Sequence, residues 1–129
     1  MQNYRQLEVW QRAMAYATEL YRFAGQLPDA ERYNLALQLR KAAVSVPLNI
    51  AEGSGCATDG DFARFLSYAY RSLKEVETCL ELSGRLYPAV PKETIQPLID
   101  EADQIARMTY ALIQRLSPSV VREVWDAEN

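Results

Sequence analysis

The chain has 129 residues, a net charge of −3 and 49% hydrophobic residues, which fits one soluble-type domain with a substantial core. It contains no histidine, which excludes histidine triads, histidine general acid–base chemistry and histidine metal sites. Without a basic-then-apolar leader or an apolar run of membrane length, the expected location is cytoplasmic, and Cys56 and Cys79 are expected as free thiols.

Charge is uneven along the chain. Residues 1–74 carry nine Lys/Arg against seven Asp/Glu, and residues 75–129 carry five against ten. An acidic chain is repelled by phosphates, so any RNA contact requires a local basic patch.

The first predicted helix runs from about Tyr4 to Gln26. Trp10, Ala13, Ala17, Leu20, Ala24 and Leu27 form its main apolar stripe. Val9, Tyr16 and Phe23 repeat at intervals of seven beside it. Pro28 and Asp29 end this helix. The second begins near Asn34, a residue type suited to capping, and runs to Glu52, with Leu35, Leu39, Ala42, Val46 and Ile50 on one face. Pro47 has no amide proton and crowds the Ala43 carbonyl, which predicts a kink and a side-chain or water partner for that carbonyl. Gly53 and Gly55 suit a left-handed stop.

Thr58, three residues before Asp61, suits a cap for a third helix from about Asp59 to Leu86. Phe62, Phe65, Leu66, Ala69, Leu73, Val76, Leu80, Ser83 and Leu86 give it a wide arc, with Tyr70 beyond. Pro88 and Pro91 break the chain. The fourth helix carries Ile95, Leu98, Ala102, Ile105, Thr109, Leu112 and Leu116, with Pro97 either in its first turn or at a kink. Residues 1–116 are therefore expected to form one all-α domain, an antiparallel up-down-up-down four-helix bundle with the second helix kinked at Pro47. Residues 117–129 are expected as a C-terminal tail, either frayed or docked through Val120, Val121, Val124 and Trp125.

The segment QLRKAAVSVPLNIAEG, residues 38–53, resembles a bacterial family of four-helix bundles often encoded within intervening sequences of 23S rRNA genes. The resemblance extends to Leu7, Val9, Trp10 and Gln11, to Phe62, Arg64, Phe65, Leu66 and Ser67, and to Leu73 through Leu82. It implies a non-enzymatic homo-oligomer, a pentameric ring being the associated form, acting as a scaffold for RNA or a ribonucleoprotein partner. Similar accessory subunits of retroelement reverse transcriptases bind nucleic acid through strongly basic surfaces. This chain departs from them in its acidic balance.

Four sets of candidate residues follow. Val9, Tyr16, Phe23 and Tyr70 look like apolar surface left over for self-association. Arg40 and Lys41, with Arg64, Arg71 and Lys74 on one face of the third helix, are candidate phosphate contacts; a solvated surface paired with nearby carboxylates explains them equally simply. Pro47, Asn49, Glu52 and Gly53 form a motif whose polar members complete hydrogen bonds at the proline, Glu52 pairing with an arginine such as Arg40. Glu77, Glu81, Asp100 and Asp103 define the alternative function, a Mg²⁺-dependent helical nucleotide hydrolase. A purely protein-binding adaptor is a third reading. No cofactor and no resident metal are expected.

Overall fold

The computed structural model describes residues 3–122. Among these, a short 3-10 turn at Tyr4–Gln6 precedes α1 (Glu8–Ala24), and a second at Asp29–Glu31 precedes α2 (Leu35–Ser54). The long helices α3 (Asp59–Leu86) and α4 (Lys92–Leu116) follow, and the described residues contain no strand. The protein is all-α. No helix among the described residues is long and apolar enough to cross a membrane.

Each helix packs against the next in the chain, and α4 returns to α1. Contacts step in opposite directions along neighbours. Ser45 Oγ lies 2.7 Å from Ser72 Oγ, whereas Gly53 near the end of α2 faces Phe62 and Phe65 near the start of α3. Arg12 of α1 bonds to Glu101 of α4, and Tyr16, one turn later, bonds to Leu98, one turn earlier. These pairs are antiparallel.

The apolar stripes become one core. Leu20, Leu39, Ile50, Leu66, Leu73, Leu80, Ile105 and Ile113 are fully buried in it. Burying such a side chain contributes about 1.5–3 kcal/mol, so the stripes hold the helices together far more than helix propensity does. Val120, in a helical stretch at residues 118–122, is also buried in this core. Docking is thus the fate of Val120, while Val124 and Trp125 lie outside the described residues.

The helix ends show which capping signals operate. Thr58 Oγ1 accepts from the Asp61 amide at 3.1 Å, as its spacing predicts. Asn34 occupies the position before α2, but its side chain makes no cap bond. Glu31 takes the role instead: its Oε1 accepts from the Leu35 amide at 3.3 Å, and its Oε2 accepts from the Tyr87 hydroxyl at the end of α3. That hydrogen bond raises the Tyr87 pKa above the ordinary tyrosine value. One carboxylate therefore ties the start of α2 to the end of α3. Glu31→Ala is expected to lower the melting temperature by roughly 3–5 °C, and Asn34→Ala by less than about 1 °C, in thermal denaturation followed by circular dichroism.

Two expectations around Pro47 are corrected. The left-handed stop is not made: no glycine has positive φ, and α2 runs to Ser54, where Gly55 caps it with φ −85°. Gly53 serves close approach instead: a Cβ there would lie 2.8 Å from Phe65 Cβ and 2.9 Å from Phe62 Cδ1. Asn49 Nδ2 donates to the Ser45 carbonyl at 2.8 Å and to Ser45 Oγ at 2.9 Å, one turn back, and not to the Ala43 carbonyl. The Ala43 carbonyl lies six residues back, beyond the one turn that Asn49 spans.

Pro97 is the sixth residue of α4, which starts at Lys92 and so extends earlier than the proline suggests. Cys56 and Cys79 are free thiols. Burial raises the Cys79 pKa above the ordinary thiol value.

Candidate functional site

Val9, Tyr16 and Phe23, the candidates for an inter-copy surface, are 5%, 2% and 2% exposed and belong to the core. The reason is the position of α1. It packs against both α2 and α4, so its apolar arc serves two neighbours and is wider than one stripe. Tyr70 is half-buried, its ring centroid 6.3 Å from that of Tyr110 on α4. Val9, Tyr16 and Phe23 therefore leave no apolar flank for another copy to cover.

A different set of apolar side chains faces outward. On α2, Leu37, Val44 and Leu48 recur at seven and four, and all three are exposed. From α1, Met14 and Tyr21 are exposed on the side turned to α2, and Trp10 is half-buried beside them. Tyr4 meets Trp10 edge to face at 5.1 Å, and Arg5 lies over the Tyr4 ring at 4.7 Å. Between the two helices runs a groove of about 450 Å³ lined by Tyr4, Trp10, Met14, Val44, Leu48 and Ala51, with Pro47 in its wall and Glu52 at its polar edge. Glu52, expected to pair with an arginine, is thus exposed beside the groove, and Arg40 lies over the Tyr21 ring at 5.5 Å.

The signal for this face was present in the sequence. Val44 and Leu48 fall off the stripe of Leu35, Leu39, Ala42, Val46 and Ile50, on the side of the helix where polar residues belong.

The five candidate cations are divided. Arg40 leans towards α1 and lines a cavity at the corner between α1 and α2, while Lys41 is exposed on the outer face of α2. Arg64 and Arg71 are exposed on α3. Lys74 is engaged, with Nζ 3.9 Å from Glu77 Oε1 and 5.2 Å from the Tyr70 ring centroid.

The carboxylates of the hydrolase alternative do not converge. Asp100 accepts from Gln96 at 2.8 Å, Asp103 meets Arg107 at 2.9 Å, Glu81 is exposed, and Glu77 faces Lys74. Among the described residues, no three acidic or thiol groups lie close enough together to hold a metal ion.

Two polar contacts at the α1/α4 seam were not foreseen. Arg12 Nη2 lies 2.6 Å from Glu101 Oε1 and Nε 3.1 Å from Oε2, a forked pair. This pair raises the Arg12 pKa above its ordinary value, chiefly through the Glu101 hydrogen bond. Tyr16 donates its hydroxyl to the Leu98 carbonyl at 2.5 Å within the core. Burial, with the nearby Glu77 charge second, holds the Tyr16 pKa well above the ordinary tyrosine value.

A family model described as 23S rRNA-intervening sequence protein matches residues 5–111. The chain belongs to that family. The segment that carries the family resemblance, residues 38–53, lies within the match and is the segment of α2 that builds one wall of the groove. Among solved structures, this intervening-sequence family member is similar to a protein of unknown function from the S23 ribosomal protein family of Bacteroides thetaiotaomicron. The match has a TM-score of 0.75 at 19% identity and covers 81% of this chain and 97% of the other. At that identity it establishes the shared fold. No curated protein matches the chain.

Proposed function

We propose that this chain is a non-enzymatic helical scaffold that assembles with copies of itself through the α1/α2 face and, so assembled, associates with RNA or a ribonucleoprotein in the cytoplasm. The exposed apolar groove of Trp10, Met14, Val44 and Leu48 carries this reading. Scattered surface hydrophobics are ordinary, but an apolar groove with a polar edge between two helices is the form of an interaction surface. A second copy is an economical occupant, because a cyclic arrangement repeats the same contact at every subunit. The pentameric ring implied by the resemblance is one such arrangement. The RNA arm rests on the family's association with 23S rRNA intervening sequences and on the ribosomal family of the structural relative.

The test is light scattering on the purified protein, beside a Val44→Glu, Leu48→Glu double variant. The wild type is expected to exceed the 14.7 kDa chain mass. The variant is expected to run as a monomer with unchanged helical circular dichroism. Each lost apolar burial removes about 1.5–3 kcal/mol per interface, and two buried carboxylates weaken it further, together a loss of more than a hundredfold in affinity. A wild type that stays monomeric at every concentration overturns self-assembly and leaves the face to a different protein.

A further inference from the structure

The corner where α1 ends and α2 begins gathers groups that the apolar groove does not use. Two arginine–tyrosine pairs stand there. The Arg40 guanidinium lies 5.5 Å from the Tyr21 ring centroid, and the Arg32 guanidinium lies 5.5 Å from that of Tyr33. Tyr33 is 76% exposed and Tyr21 45%, so both side chains are accessible from solvent. Between the arginines is a cavity of about 260 Å³, walled by Gly25, Pro28, Asp29 and Ala36 as well as by Arg32 and Arg40.

Among the described residues, neither arginine at this corner is held by a carboxylate. Arg12 is paired with Glu101 and Arg107 with Asp103, whereas neither Arg32 nor Arg40 forms an ion pair among the described residues. Asp29 shares the cavity wall and is outnumbered by the two guanidiniums. Glu31 is already occupied by the Leu35 amide and the Tyr87 hydroxyl. A guanidinium held against an aromatic ring keeps its edge donors free, and those donors match a phosphate.

We propose that this corner binds single-stranded nucleic acid, with Arg32 and Arg40 holding a phosphate in the cavity and the Tyr33 and Tyr21 rings stacking on bases. Flat rings tolerate any base, and the guanidiniums read only the backbone, so the site is indifferent to sequence. A duplex does not fit this description, because its bases are already stacked on each other. The site also resolves the conflict between an acidic chain and a phosphate-bearing partner: repulsion acts over the whole surface, and attraction is confined to one corner. The proposal deepens the RNA arm of the function above and rests on it.

The test is fluorescence anisotropy with labelled oligo(U) and oligo(dT), each twelve nucleotides long, titrated with the whole chain over a range of salt. The wild type is expected to bind both, more weakly as salt rises. Arg32→Glu with Arg40→Glu should weaken binding by at least tenfold and make the slope of log affinity against log salt shallower by about 1 to 2. Tyr33→Ala should weaken binding by roughly tenfold with the slope unchanged, because it removes stacking and no charge. Asp29→Asn should tighten binding. Asp29, Arg32 and Tyr33 are exposed and Arg40 is half-buried, and unchanged circular dichroism will confirm that the variants fold.

Equal loss in Arg107→Glu on α4 would mean general electrostatics and overturn the site. Corner variants that bind as well as wild type would overturn it too, while leaving RNA association elsewhere on the molecule. A wild type that binds neither strand would remove the RNA arm as well. Displacement by inorganic phosphate with no effect of Tyr33→Ala would reduce the corner to an isolated anion site and overturn the stacking. Equal affinity for polyglutamate would assign the corner to an acidic protein instead.

Discussion

Gly53→Val should lose about 3 kcal/mol or more of stability, read as a fall of roughly 10 °C in melting temperature. The missing side chain at this position allows α2 to meet α3. Even a single methyl would lie 2.8 Å from Phe65 Cβ, 2.9 Å from Phe62 Cδ1 and 3.1 Å from the Phe62 carbonyl oxygen. The Phe65 Cβ and the Phe62 carbonyl cannot rotate away, so the helices must separate and thin the contact around them. Gly53→Ala is the milder case. It gains about 1 kcal/mol in helix propensity and loses about 2–3 kcal/mol to overpacking, a net fall of about 1–2 kcal/mol. Gly60, in the first turn of α3, is the control: a Cβ there meets nothing within 4 Å. Gly60→Ala should stabilise the protein by about 0.5–1 kcal/mol. Equal effects at the two glycines would show that backbone entropy and not close packing explains Gly53.

Tyr16→Ala should cost about 3–5 kcal/mol, since it empties a core site and removes the hydroxyl bond between α1 and α4. Tyr16→Phe keeps the ring and should cost only about 1 kcal/mol. The informative comparison is at alkaline pH. In the folded chain the Tyr16 pKa is raised, first by burial and then by the Glu77 charge, so the neutral phenol persists in the core. The unfolded chain ionises this tyrosine near its ordinary value of about 10. Above that pH the unfolded state binds fewer protons than the folded state, so stability is full below about pH 10 and falls as pH rises towards the folded value. The slope from this residue is about 1.4 kcal/mol per pH unit. Denaturant titrations at rising alkaline pH should therefore converge for wild type and Tyr16→Phe. Parallel curves would show that the phenol ionises as easily folded as unfolded.

The amino-acid sequence by itself determined the secondary structure, the principal core stripes and the family. Those are local properties: 3.6-residue periodicity, the Thr58 cap and the motif at residues 38–53 are each readable within a few turns of chain. Only the tertiary structure decided which of the remaining apolar residues are surplus. Val9, Tyr16 and Phe23 repeat as cleanly as Leu37, Val44 and Leu48, yet the first set is buried and the second faces solvent. The width of a helix's buried arc depends on its neighbours. α1 meets two of them, whereas Leu37, Val44 and Leu48 on the outer side of α2 stay exposed among the described residues. Polar pairing was hidden for the same reason: Arg12 and Glu101 are 89 positions apart, and Arg32 and Arg40 share a cavity only because the chain turns between α1 and α2. Periodicity records that a face exists; what covers that face is set by contacts between residues distant in the chain.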